Sequence, residues 1–164
     1  MIVREERGCL KDLLFDSIAS VSPSSTALVF RDHEVEKKVS YEVLLNKSCE
    51  LEAELRKNGV GEREVLCIQL DQDTPEILNY IVVLLTALRL DCPFHFLERF
   101  SLVGLEEVGA IILISSTRPP ALDHAAGARN KSLSAVPLHL SFLPQPPKLL
   151  NLEDVVYLVY TSGT

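Results

Sequence analysis

At 164 residues the chain can bury one core, about two-thirds of the surface that an unfolded chain of this size exposes, so one domain or part of one is expected. Few aromatics, no Trp and 24% charged residues exclude a disordered chain and indicate a globular α/β one. A formal net charge of −7 excludes the clustered Lys and Arg of a nucleic-acid footprint.

The opening Met1-Ile2-Val3-Arg4-Glu5-Glu6-Arg7 has acids where a signal peptide would have bases before an apolar stretch. Nothing there directs export, and a cytoplasmic location is expected. Leu10, Leu13, Leu14, Ile18 and Val21 recur at helical spacing, and Ser22-Pro23-Ser24-Ser25 ends that helix with turn residues. A short strand is predicted at 27–31, then a charged turn over residues 32–37. Val39 leads to Ser40, placed as an N-cap with Glu42 in the first helical turn. Tyr41, Leu44, Leu45, Leu51 and Leu55 mark the buried face of this second helix, and Gly59 supplies its left-handed stop.

Residues 65–70 are apolar at nearly every position, the mark of a strand covered on both faces. Thr74-Pro75-Glu76 opens a third helix with a cap, a proline at its first position and an acid near the positive end of the dipole. It runs to about Leu90. Because Ile77, Tyr80, Ile81, Val83, Leu84, Leu85 and Leu88 leave almost no polar face, it is expected to be the most buried helix. Its apolar run at 80–85 is bracketed by Glu76 and Arg89, well short of the roughly 20 residues of a bilayer span, so no membrane span is expected.

A short strand at 94–96, a helix at 100–108 closed by Gly109 and a buried strand at 110–115 follow. Six of the nine prolines fall between Pro119 and Pro147, which marks residues 116–151 as a Pro-rich loop or linker. A last strand, 155–160, delivers Thr161-Ser162-Gly163-Thr164 to its carboxyl end. Small hydroxyl side chains and a glycine after a buried strand suit a phosphate-binding loop, where backbone N–H groups close around an anion. Strands alternating with helices predict a mostly parallel sheet with helices on both faces and a ligand at the strands' carboxyl ends.

Cys9, Cys49, Cys67 and Cys92 are irregularly spaced with no Cys-x-x-Cys pair, so buried free thiols rather than a metal site are expected. His95 between Phe94 and Phe96 reads as structural, and Asp71 and Asp73 read as caps for the following helix. His33 and His124 carry no signal. Asn46-Lys47-Ser48 and Asn130-Lys131-Ser132 fit the glycosylation pattern, by chance in a chain with no export signal. The glycine-rich patterns of self-contained nucleotide-binding domains are missing from the sequence.

Tyr160-Thr161-Ser162-Gly163-Thr164 resembles the first half of the Tyr-Thr-Ser-Gly-Thr-Thr-Gly-x-Pro-Lys-Gly signature of the adenylate-forming (AMP-binding) superfamily of acyl-CoA synthetases, luciferases and peptide-synthetase adenylation domains. Upstream, residues 23–31, 39–44 and 55–70 resemble further family segments in the same order. The family's Leu-Lys-Ala-Gly-Ala-Ala-Tyr-Val-Pro-Leu-Asp-Pro stretch is altered at 88–99: Asp91 stands where the glycine would be, and the usual prolines are gone.

The resemblance implies that residues 1–164 are an incomplete amino-terminal part of an adenylate-forming enzyme's large domain. It also implies an activity in which ATP, with Mg2+, and a carboxylic or amino acid give an acyl-adenylate, whose acyl group passes to coenzyme A or a carrier-protein pantetheine. Thr161, Ser162, Gly163 and Thr164 fall on the positions that wrap the ATP phosphates. The remaining catalytic positions lie beyond Thr164, so the chain alone is expected to be inactive. A likeness to the aminoadipate-semialdehyde dehydrogenase type of amino-acid-activating synthetase is the subgroup reading. The alternative is a non-catalytic product that acts by binding a partner protein.

Overall fold

The computed structural model describes residues 10–32, 34–62, 64–70, 76–97, 105, 112–122 and 127–143. Helix α1, Leu10–Ala19, precedes an antiparallel ribbon of β1, Thr26–Asp32, and β2, Val35–Ser40. Residues 35–37, expected in a charged turn, are therefore strand. The outer part of β2 is exposed, so its charges carry no burial cost there, and only Val39 reaches the core. Glu34 beside the reversal takes a left-handed φ of 71°.

Helix α2, Tyr41–Lys57, starts as its sequence dictates: Ser40 is extended and its hydroxyl accepts from the Val43 amide at 3.3 Å. It ends in a Schellman turn. Gly59 has a φ of +95°, its amide donates to the Arg56 carbonyl at 3.0 Å, and the Val60 amide donates to the Leu55 carbonyl at 3.1 Å. Helix α3, Glu76–Arg89, closes with the same pair of bonds, Asp91 to Leu88 at 3.2 Å and Cys92 to Ala87 at 3.0 Å. Here the left-handed residue is Asp91, with a φ of 53°. The sequence departs from the family's glycine, yet the backbone takes the conformation that a glycine would favour.

Where α2 and α3 cross, the buried polar groups satisfy one another. The Thr86 hydroxyl, bonded within α3 to the Val82 carbonyl at 2.7 Å, also reaches the Ser48 carbonyl of α2 at 3.3 Å, and Arg89 Nε donates to Ser48 Oγ at 3.1 Å. On α3, Val82, Val83, Leu85, Thr86 and Ala87 are buried, but Ile77 and Tyr80 are 41% and 37% exposed. α3 is, as expected, the most buried of the described helices, although one strip of it reaches the surface, with Tyr80 stacked on Phe96 at 4.5 Å between ring centroids.

Five strands form one sheet in the order β4-β3-β5-β7-β6: β3, Leu66–Gln69; β4, Phe94–Phe96; β5, Ile112–Ser115; β6, Arg129–Ser132; and β7, His139–Phe142. β4 and β5 flank β3 in parallel, whereas β7 runs antiparallel to both β5 and β6. Alternating residues divide the core. Leu66, Ile68, Ile112, Ile114 and Leu140 pack with the apolar faces of α2 and α3 on one side. On the other, Val65, Cys67, Leu113 and Leu143 pack with Leu105, which is helical, and with Leu122 of a short 3-10 turn at Pro120–Leu122. The α/β class with cover on both faces therefore holds.

Residues 116–151, expected as a loop or linker, instead contain the β6–β7 hairpin. Polar β6 is an edge strand among the described elements and gives no apolar signal, and Leu140 of β7 joins the core. Of the expected 100–108 helix only Leu105 is described. The expected strand at 155–160 lies outside the described residues. Asn46 sits within α2 and Asn130 within β6, regular elements unlike the surface loops in which glycosylation acceptors stand.

Cys67 and Cys92 are buried, as expected of structural thiols, but Cys49 is exposed; Cys9 lies outside the described residues. Among the described residues no helix is long and apolar enough to cross a membrane.

Candidate functional site

The connections around β3 define a place for a ligand. From β3 the chain passes through α3, on one face, to β4; it then returns past Leu105, on the other face, to β5 on the far side of β3. Crossovers leaving in opposite directions mark the carboxyl ends of β3 and β5 as a switch point, the general ligand position in open α/β sheets.

Gln69 and Ser115 face each other at that edge, and His139 of β7 pairs with Ser115 across the other side. The Ser116 amide donates to the Gln69 carbonyl at 3.0 Å, and the Leu97 amide donates to the Ile68 carbonyl at 2.9 Å, extending both parallel ladders past their strands. The edge therefore carries hydrogen-bonding side chains on paired backbone, with that of Ser115 buried. The location was expected from the sequence; Gln69, Ser115, Ser116 and His139 were not singled out, because isolated Ser, Gln and His residues at strand ends look like any others.

Thr161, Ser162, Gly163 and Thr164 lie outside the described residues, as do Asp71, Asp73, His33 and His124. His95, 5% exposed on β4, pairs in register with Cys67, a packed position that suits its structural reading. Burial pushes the Cys67 thiol up to about 12, so it is protonated at neutral pH and unsuited to nucleophilic work. Among the described residues no group of three or more His, Cys, Asp or Glu could hold a metal ion. A half-open hollow of about 340 Å³ between α1, α2 and α3, with Leu14, Ile18, Leu44 and Ile81 in its wall, has no charged residue in its lining.

The strands' carboxyl ends are thus the candidate ligand position of this open α/β domain. Comparison with known proteins narrows the class. Bacitracin synthase 1 of Bacillus licheniformis is 28% identical over 154 residues, which is 92% of this chain and 3% of that protein. Among solved structures, the artificially fused adenylation–PCP di-domain NpsA-ThdA from Klebsiella oxytoca superposes with a TM-score of 0.55 at 22% identity, over 66% of this chain and 20% of that one. The O-succinylbenzoate coenzyme A synthetase MenE of Bacillus subtilis, solved with ATP and magnesium ion, gives 0.52 at 19% identity, over 62% of this chain and 27% of that one. No family model matches. This chain shares its fold with the adenylation di-domain and the synthetase, and over 92% of its length it is similar in sequence to part of the bacitracin synthase. It spans 3% of the bacitracin synthase and 20% and 27% of the two solved chains.

Proposed function

We propose that this chain supplies the amino-terminal part of an ATP-dependent acid-activating ligase. In that reaction a carboxylate oxygen attacks the α-phosphorus of ATP, pyrophosphate leaves, and an acyl-adenylate forms. A thiol then attacks the acyl carbon and AMP departs. The observation that carries this reading is the switch point at the carboxyl ends of β3 and β5 in a fold shared with an adenylation di-domain and an ATP-bound synthetase.

Thr161, Ser162, Gly163 and Thr164 are proposed to bind the ATP phosphates. Their hydroxyls donate to phosphate oxygens, and Gly163 lets the backbone approach the anion. Mg2+ would arrive on the nucleotide, as the pairing of ATP with magnesium ion in the MenE structure suggests. The substrate is proposed to be a carboxylic or amino acid, and the acceptor coenzyme A or a carrier-protein pantetheine.

The competing reading, a non-catalytic product that binds a partner, draws on the altered segment at 88–99. Asp91 weighs against degeneration there, because the turn after α3 keeps its geometry with a different residue. The test uses a protein carrying this chain together with the rest of its large and mobile domains. Replacing Gly163 with Ala, or Thr161 and Thr164 with Ala, should lower carboxylate-dependent ATP–pyrophosphate exchange by about 100- to 1,000-fold, the scale of losing a preorganised donor. Undiminished exchange in all of these variants would remove the assignment of the loop.

A further inference from the structure

The second face of the sheet carries a polar row. Across it the register aligns His95 of β4, Cys67 of β3, Leu113 of β5, Ser141 of β7 and Asn130 of β6, so these side chains emerge on one side. Ser115, two residues beyond Leu113, shares that side. Ser141 is 0% and Ser115 1% exposed. The oxygens Ser141 Oγ, Ser115 Oγ and Asn130 Oδ1 are buried, and none has a hydrogen-bond partner among the described residues.

Orphaned polar atoms are rare in folded interiors, and three on neighbouring positions share one cause. Ser141 and Asn130 are direct cross-strand partners, a relation that sets Cβ atoms about 4.5–5.5 Å apart, and Ser115 is a diagonal neighbour of Ser141. We propose that an ordered water is bound between β5, β7 and β6. It donates to Asn130 Oδ1, exchanges a hydrogen bond with Ser141 Oγ and reaches toward Ser115 Oγ. The chemistry of the three oxygens selects this occupant. A metal ion would need carboxylate, thiolate or imidazole ligands gathered here, and an anion would be repelled by the acceptor-only Asn130 oxygen. A small neutral molecule that both donates and accepts fits all three.

Its position ties the hairpin to the candidate ligand edge of the sheet, because Ser115 stands opposite Gln69 at the carboxyl ends of β5 and β3. A bound water would hold β7 against β5 without the dry packing that Leu113 and Leu143 provide beside it.

Water-to-methyl Overhauser transfer on the isotope-labelled chain tests this directly, since the Leu113 and Leu143 methyls carry no exchangeable proton. A long-lived water should give cross-peaks to Leu113. They should fall to baseline in Ser141→Ala and in Asn130→Ala, while the rest of the spectrum stays folded. A crystal structure should show the same water about 2.7–3.2 Å from at least two of the three oxygens. The proposal is overturned if Leu113 shows no such transfer in the unaltered chain, or if the crystal shows those oxygens bonded to other protein groups.

Discussion

The Glu54 carboxylate of α2 is the anchor of Ser134, 80 residues away in the turn between β6 and β7. The Ser134 amide donates to Glu54 Oε1 at 2.9 Å, its hydroxyl to the same oxygen at 3.0 Å, and the Ala135 amide to Oε2 at 2.9 Å. Lys131 Nζ adds a bond to Asn58 Oδ1 at 2.9 Å, so the helix's last turns clasp the hairpin twice.

Burial of Glu54 favours its neutral form, but the Ala135 and Ser134 amides, the Ser134 hydroxyl and the nearby Lys131 charge outweigh it and lower the pKa below the ordinary 4.5. A carboxyl depressed on folding contributes its full stability above the unfolded value and loses it as pH falls through the lower folded value. Glu54→Gln should therefore cost about 1–2 kcal/mol at neutral pH, the range for hydrogen bonds to a partly exposed charged group. Urea denaturation of both proteins should show the gap shrinking as pH drops below 4.5. A gap unchanged into strong acid would contradict the assignment.

Asp91 gives a test in which the sign of the effect is diagnostic. Asp91→Ala places a less tolerant residue at a φ of 53° and removes the 2.9 Å ion pair with Lys11, so it should destabilise by about 1–2 kcal/mol. Asp91→Gly loses the same ion pair but relieves the left-handed conformation, so its stability should stay within about 0.5 kcal/mol of the unaltered chain. Lys11 Nζ keeps its 3.1 Å bond to the Arg89 carbonyl in both. Equal losses for Ala and Gly in chemical denaturation would show that the ion pair, and not the backbone, sets the preference.

The thiols should separate by exposure. At neutral pH a maleimide should modify Cys49 in the native chain, while Cys67, buried and held protonated, and buried Cys92 should react only after unfolding in urea. Peptide mass spectrometry reads each site. Native labelling of Cys67 at the rate of Cys49 would mean that the sheet opens far more readily than its packing allows.

Elements whose burial leaves a periodic or continuous apolar pattern were legible from the sequence. The caps of α2, Ser40 and Gly59, were legible for the same local reasons that make them work, as was the parallel pairing of β3 with β5, foreshadowed by their unbroken apolar runs. β2 and β6 were not, because an exposed ribbon strand and a polar edge strand carry Lys, Glu, Asn and Ser where a buried strand carries Val and Ile. Prolines on both sides masked β7, although Leu140 sits in the core.

At the site, the carboxyl ends of the parallel strands were anticipated and the phosphate-loop residues were named from their motif. Ser115, Gln69 and His139 came together only through register, which no single-strand pattern encodes. The left-handed Asp91 also left no trace in the sequence beyond a missing glycine.

On the proposed reading, this fold serves carboxylate activation once the rest of the enzyme surrounds it. Transition-state stabilisation needs donors and cations held around the transferring phosphoryl group, and the chain spans only 20% and 27% of the two solved relatives. Carboxylate-dependent ATP–pyrophosphate exchange, measured on the purified 164-residue chain and on the protein that continues through both family domains, tests it most directly. The longer protein should exchange label with at least one carboxylic or amino acid, and the 164-residue chain should give background only. Exchange by the short chain, or silence of the longer protein across a broad panel of acids, would contradict the account.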